Sequence, residues 1–227
     1  MRRRRKVLIK EMSGQHSLGN SRLDGQYAAA GFGGRVGWGE RPALLVIDLA
    51  RAWTDPTDQM GSDLSAVTTA VCQLLDVFRS KDLPRYFTTM AYDPSLRDLS
   101  RVARAKTPHL KQMVRGSAAV QLIPELRRQA DEALIEKPGP SAFWGTNLAT
   151  LLNSDRVDTL VVTGCSTSGC IRGTAESGFN RGLHVILPAE AIGDRSPSAH
   201  EASLFDMNNR YGDVLPLKTV LDELARY

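Results

Sequence analysis

From residue 41 onward, short apolar runs alternate with longer stretches in which apolar positions recur at helical spacing. The runs are "ALLVI" (43–47), "RYFTT" (85–89), "ALIE" (133–136), "TLVVTG" (159–164) and "HVILP" (184–188), and each predicts a strand. Helices are predicted over 63–80, 118–131, near 146–153, over 169–181 and over 197–209, with "KTVLDELAR" (218–226) closing the chain. Apolar strand runs alternating with amphipathic helices specify an α/β fold. The expected architecture is three-layer α/β/α, a doubly wound, mainly parallel sheet covered on both faces. No internal repeat is found.

The first 40 residues lack that pattern. Residues 13–40 are rich in Gly and Ser, as in "SGQHSLGNS" and "GFGGRVGWGE", so the core is expected to start at Arg41. Residues 1–40 then form a basic, Gly/Ser-rich arm and residues 41–227 a single domain. The glycines of 31–39 are not a dinucleotide fingerprint, because they precede the first strand, whereas a phosphate loop must follow a strand and open a helix. With 227 residues and 42% hydrophobic content the chain can bury one sizeable core.

Charge and cysteine usage narrow the setting. Arg2 to Arg5, Lys6 and Lys10 supply six positive charges, and without them the formal net charge falls from +4 to −2. No aromatic residue interleaves those arginines, so the arm reads as solvated and no nucleic-acid partner is expected. The basic stretch "RDLSRVARAKTPHLKQMVR" (97–115) reads as an irregular surface excursion with a helical piece and a solvated face. No apolar run approaches the roughly 20 residues that span a bilayer, and the N-terminus has no apolar signal core, so no membrane is expected. Three cysteines are too few and odd in number for a disulfide framework, which points to a reducing, cytoplasmic setting.

Ligands of such sheets bind at the carboxyl ends of the strands. Three polar features follow apolar runs there: Asp48 after "ALLVI", Lys137 after "ALIE", and the turn from Gly164 to Cys170 after "TLVV". A carboxylate, an ammonium and a thiol on one edge have a chemical logic. A nearby Lys⁺ and a helix N-terminus lower a thiol's pKa, and a carboxylate can take its proton and hand it to a leaving amine. On position alone, Asp48 is equally a turn-capping carboxylate and Lys137 a loop lysine. Cys72 lies on an apolar helical face and reads as core. Cys165 and Cys170 have four residues between them where a redox motif has two, and the four scattered histidines complete no zinc site.

Four segments resemble the isochorismatase-like cysteine hydrolases: "RPALLVIDLARAW", "EKPGPSAFWGTNL", "VDTLVVTGCSTSGCIRGTA" and "GDRSPSAHEASLFDMNNRYGDV". They occur in family order and span about Gly31 to Val214. The resemblance implies a triad of Asp48, Lys137 and Cys170, and a cis peptide between Cys165 and Ser166. That peptide would turn the Ser166 amide inward, to form an oxyanion hole with the amide of Cys170. Cys165 would then serve shape and Cys170 chemistry. The family's nicotinamidases carry an Asp/His metal cluster after the second strand, where this chain has "TTMAYDPSLRD" without histidine, so neither a metal nor another cofactor is expected.

The thiol at 170 implies amide hydrolysis through a thioester, because the vinyl-ether-cleaving members do without it. "GDRSPSAHEASLFDM" is most similar to the carbamoylsarcosine and maleamate branch, which implies that Arg195 binds a substrate carboxylate. The implied substrate is a small carboxylate-bearing amide or ureido acid. Ser198, Trp53 and Trp144 depart from that branch, and the two tryptophans are expected to wall the pocket. The family also implies a homo-oligomer, dimer or tetramer. Three alternatives stay open: an amidase of neutral amides on the same triad, a non-catalytic binding protein on the same fold, and a thiol-redox protein that would join Cys165 to Cys170.

Overall fold

In a computed structural model, residues 21–227 are described, so the basic residues 2–10 and the Gly/Ser-rich stretch 13–20 lie outside the described residues. Two units are distinguished, one ending at Gly33 and the other spanning Gly34–Tyr227. The first contains helix α1 (Ser21–Ala29), whose Tyr27 ring lies 5.5 Å from that of Phe32. Most of the described residues of this helix are exposed, and a helix without an apolar face leaves no periodic trace in sequence.

The second unit is built on seven strands: β1 (Pro42–Ile47), β2 (Arg85–Met90), β3 (Ala133–Lys137), β4 (Thr159–Cys165), β5 (His184–Pro188), β6 (Ile192–Gly193) and β7 (Asp213–Leu215). Their order is β3-β2-β1-β4-β5-β7, with β6 paired to the end of β4, and every pairing is parallel. Every residue of β1 and of β4 is buried, which explains why these two strands read as unbroken apolar runs. The helices are α2 (Arg51–Thr54), α3 (Ser65–Ser80), α4 (Arg101–Lys106), α5 (Leu148–Ser154), α6 (Arg172–Phe179), α7 (Pro197–Arg210) and α8 (Leu217–Leu224). Together they make the expected α/β architecture. The helix α3 sends Val67, Ala70, Val71, Leu74, Leu75 and Phe78 into one apolar cluster with Leu44 and Val46 of β1. Cys72 lies on the flank of that helix, half-buried, its thiol 3.4 Å from the Glu125 carbonyl, and is not a core residue.

The helix expected over 118–131 does not form. Two short 3₁₀ turns, Ala118–Val120 and Pro124–Leu126, take its place. Pro124 has no amide to continue an α-helix, and Arg127 turns left-handed at φ 47°. The backbone between these turns is engaged elsewhere: Ile123 donates to the Leu49 carbonyl, Arg51 donates to that of Gln121, and Ala50 bridges Leu122 antiparallel. The segment thus packs against the chain that leaves β1, beside the carboxyl edge of the sheet.

Upstream of Arg41, the amides of Val36 and Gly37 donate to the Asp213 carboxylate at 3.1 and 2.9 Å, and that of Gly39 donates to Thr159 Oγ1 at 2.8 Å. At the start of β3, the buried Glu132 carboxylate meets Arg79 and Arg85 at 2.8 and 2.9 Å. These contacts fix the strand that carries Lys137 at its other end.

Candidate active site

The order of strands reverses between β1 and β4, the place where an open α/β sheet leaves a crevice at its carboxyl edge. The register sets Ile47 beside Thr88 on one side and Gly164 on the other, and Met90 beside Lys137. Asp48 follows Ile47 with φ 54°, a left-handed turn at the strand end. At Gly164, φ is +105° and a Cβ would stand 2.0 Å from the Ile47 carbonyl oxygen, so only glycine lets the two strand ends approach.

The three candidate side chains meet in this crevice. Lys137 is 0% exposed and Asp48 1%. The Lys137 ammonium is 2.7 Å from Asp48 Oδ2, and it donates to the Gly139 carbonyl at 3.0 Å and to Cys170 Sγ at 3.3 Å. Asp48 Oδ1 accepts from the Thr88 hydroxyl at 2.9 Å, which sets the plane of the carboxylate. Cys165 Sγ lies 3.3 Å from the Asp48 carbonyl oxygen rather than on the Lys137 ammonium, and both cysteines are free thiols.

Cys170 was expected to open a helix over 169–181. It lies instead in a single π-turn, Thr167–Ile171, which feeds α6. The Ile171 amide reaches back to the Ser166 carbonyl at 3.1 Å, and the Cys165–Ser166 peptide is cis. Single π-turns of this kind recur at functional sites. Ser166, Gly169 and Cys170 all line one cavity of about 450 Å³, together with Asp48.

Charge in this cluster departs from the simple expectation of a thiol acidified by its lysine. Burial pushes the Cys170 thiol up to about 12, more than the Lys137 ammonium holds it down, and the Asp48 charge adds to the rise. Burial also presses the lysine's pKa down, but the Asp48 carboxylate and the Cys170 sulfur outweigh it and the net shift is upward. Burial thus favours the neutral thiol, and the neighbouring carboxylate favours the charged ammonium. Below pH about 12 the thiolate fraction rises about tenfold per pH unit. Alkylation of Cys170 by iodoacetamide, followed by mass spectrometry of its peptide, should accelerate roughly 100-fold between pH 7 and 9. A rate flat over that interval would show a thiolate already present.

Arg195 follows β6 and lies at the cavity rim, its guanidinium carbon 5.9 Å from the centroid of the Trp53 ring. That is within the range of a cation–π contact. Of the two tryptophans expected to wall the pocket, only Trp53 does so. Trp144 is 64% exposed and stacks over Gly139, where a Cβ would stand 2.8 Å from its ring. Ser198 lies in the first turn of α7, its hydroxyl 3.2 Å from that of Ser196.

Two contributions escaped the sequence. Thr107 and Leu110 line the cavity, although their basic segment reads as a solvated face. The signal was the apolar pair Leu110 and Met113, both buried. Asp194 also lines the cavity, and its carboxylate accepts from the amide and hydroxyl of Ser168 at 2.8 and 2.7 Å. Among the described residues, no group of three or more His, Cys, Asp or Glu is arranged to hold a metal ion.

A parallel sheet that reverses at β1/β4, with an Asp, a Lys and a Cys meeting at its carboxyl edge, defines an isochorismatase-like hydrolase fold. Residues 42–219 match the Isochorismatase domain, and the chain belongs to the isochorismatase family. Maleamate amidohydrolase of Pseudomonas putida is 38% identical over 198 residues, covering 85% of this chain and 91% of that protein. N-carbamoylsarcosine amidase of an Arthrobacter species is 36% identical over 205 residues, 87% of this chain and 76% of its own. In fold, the chain is similar to the crystal structure of a cysteine hydrolase from Pseudomonas syringae pv. phaseolicola, with TM-score 0.80 at 23% identity over 85% of this chain and 98% of that one.

Proposed function

We propose that this amidohydrolase cleaves the C–N bond of a small amide or ureido acid bearing a carboxylate, through a thioester on Cys170. The observation that carries the reading is the buried ammonium of Lys137, in contact with both a carboxylate and a thiol at a cavity wall. A fully buried lysine is costly unless its charge is used or paired. Here it holds Asp48 and Cys170 together and keeps its own proton, so it is not the general base.

In the proposed sequence, Asp48 accepts the Cys170 proton as the sulfur attacks the carbonyl carbon. The amides of Ser166 and Cys170 donate to the oxygen that becomes negative. Asp48 then passes the proton to the leaving nitrogen, the C–N bond breaks, and ammonia departs. Water, deprotonated by Asp48, attacks the thioester, and the thiol recovers its proton as the acid leaves. The Lys137 charge offsets the negative charge carried by Asp48 and by the sulfur along this path. This route suits a resting thiol, since the base stands 2.7 Å from the ammonium that also touches the sulfur.

Arg195 supplies the preference for an acid. Its planar fork matches a carboxylate bidentately, and the Trp53 face supports it. Support for that preference also comes from the named activities of the two relatives above. The test is ammonia release from a panel pairing N-carbamoyl acids and maleamate with their neutral esters or amides. Arg195 is exposed in the free protein, so a charged hydrogen bond of about 1.5–3 kcal/mol is the fitting scale. Arg195→Ala should lower kcat/KM roughly 10- to 150-fold for the acids and leave the neutral members nearly unchanged. Arg195→Lys should restore part of the loss. Equal losses on both members of a pair would remove the carboxylate from the proposal and leave the amide chemistry.

A further inference from the structure

The π-turn that carries Cys170 is tied at two successive residues to the segment that carries Arg195. Ser168 donates its amide and its hydroxyl to Asp194 Oδ2, at 2.8 and 2.7 Å. Thr167, fully buried, shares a 2.8 Å hydrogen bond between its hydroxyl and His200 Nδ1. The other oxygen of Asp194 accepts from the Ser196 amide at 3.3 Å, and the Ser196 hydroxyl accepts from the Ala199 amide and caps α7. A single carboxylate therefore bonds to the turn on one side and to the start of α7 on the other.

Ser168 stands midway between Ser166 and Cys170, whose amides are the proposed oxyanion donors. A π-turn closes its hydrogen bonds over five residues rather than four, so its own ladder constrains it less than an α-helix would. Oxyanion donors work only when held where the charge develops, and small displacements are costly. The geometry points to Asp194 as a positioning residue for the nucleophile's turn: it holds the Ser166–Cys170 backbone in its reactive shape, in addition to shaping the loop that carries Arg195. The inference rests on the proposed amide hydrolysis, and it adds a role for a side chain that touches neither the carbonyl nor the leaving group.

The role separates from support of the Arg195 loop by the choice of substrate. A neutral small amide makes no use of Arg195, so a loop effect would leave its turnover intact. Asp194→Ala should lower kcat for the neutral amide roughly 20- to 200-fold, with KM within about threefold, a scale bounded by the loss of one oxyanion donor. Asp194→Asn keeps one acceptor for the Ser168 amide and should recover most of that loss. Ser168→Ala removes only the hydroxyl bond and should cost roughly 2- to 5-fold. The double variant Asp194→Ala/Ser168→Ala should be no worse than Asp194→Ala alone, because both changes break the same tie.

A second readout needs no turnover. Loosening the turn relieves the burial that keeps Cys170 protonated, so iodoacetamide at pH 8 should label Cys170 several-fold faster in Asp194→Ala than in the wild type. Unchanged neutral-amide kcat in Asp194→Ala, or unchanged labelling in a variant that melts like the wild type, would overturn the inference. If the wild type hydrolyses no small amide, the proposed function falls, while the labelling rates still decide whether Asp194 holds the turn.

Discussion

Cys170→Ala should abolish hydrolysis of every small amide the wild type accepts, lowering kcat by roughly 10⁴-fold or more, the scale seen when a nucleophile is removed from an acyl-transfer site. The fold should survive. Cys170 is 8% exposed in a cavity wall, not at an outward-facing turn, so deleting its sulfur costs about 1 kcal/mol of packing. Lys137 keeps Asp48 and the Gly139 carbonyl as partners. The measurement is a melting curve beside an ammonia-release assay, with Cys165→Ala in parallel. The Cys165 thiol bonds to a backbone carbonyl and packs in the apolar cluster, away from the Lys137 contact, so that variant should retain activity. A dead Cys165→Ala beside an active Cys170→Ala would reverse the assignment of nucleophile.

Lys137→Met should be the most destabilising change at the site. It strands the Asp48 carboxylate, 1% exposed, without its counter-charge, and breaking a buried pair from one side costs about 3–5 kcal/mol. For a chain of this size that lowers Tm by roughly 6–20 °C. Turnover should fall roughly 100- to 1,000-fold as well, the loss expected for a preorganised electrostatic partner. Adding Asp48→Asn removes the stranded charge, so the double variant should melt above Lys137→Met yet remain inactive. A double variant that melts lower than Lys137→Met would mean that the two residues contribute to stability independently.

Strands β1 and β4 were legible because burial on both faces leaves an apolar run that admits few other readings. Their ends then located Asp48 and the Cys165–Cys170 turn, and the end of β3 located Lys137. What escaped the sequence was decided by distant contacts. The apolar residues of 118–131 read as a helical face, but Pro124 and the backbone bonds to residues 49–51 settle that segment as two 3₁₀ turns. The lysine beside the thiol suggested an acidic cysteine, whereas the depth of the crevice, absent from any spacing rule, raises its pKa instead. Trp144 and Trp53 were indistinguishable as bulky residues near the triad, and only the packing over Gly139 places one of them outside. Asp194 lay within a recognised motif, yet its partner Ser168 is 26 residues away.

The close seam at Gly164 separates two kinds of position. Where β1 and β4 end, main chain meets main chain with no room for a side chain, so the base of the cavity is fixed by backbone and by the buried Asp48 and Lys137. The residues that would touch the rest of a substrate stand on short or irregular segments: Trp53 on a four-residue helix, Leu110 on a 3₁₀ turn, Arg195 on the loop before α7. Trp53 also packs against the apolar cluster and the Arg195 segment is bonded to the nucleophile's turn through Asp194, so change at the rim is confined to side chains that carry neither tie. With the proposed reacting groups kept beneath it, the rim alone could tune which small amide is accepted, and a library aimed at new amides belongs on Leu110 and Arg195 rather than on the strands or on Asp194.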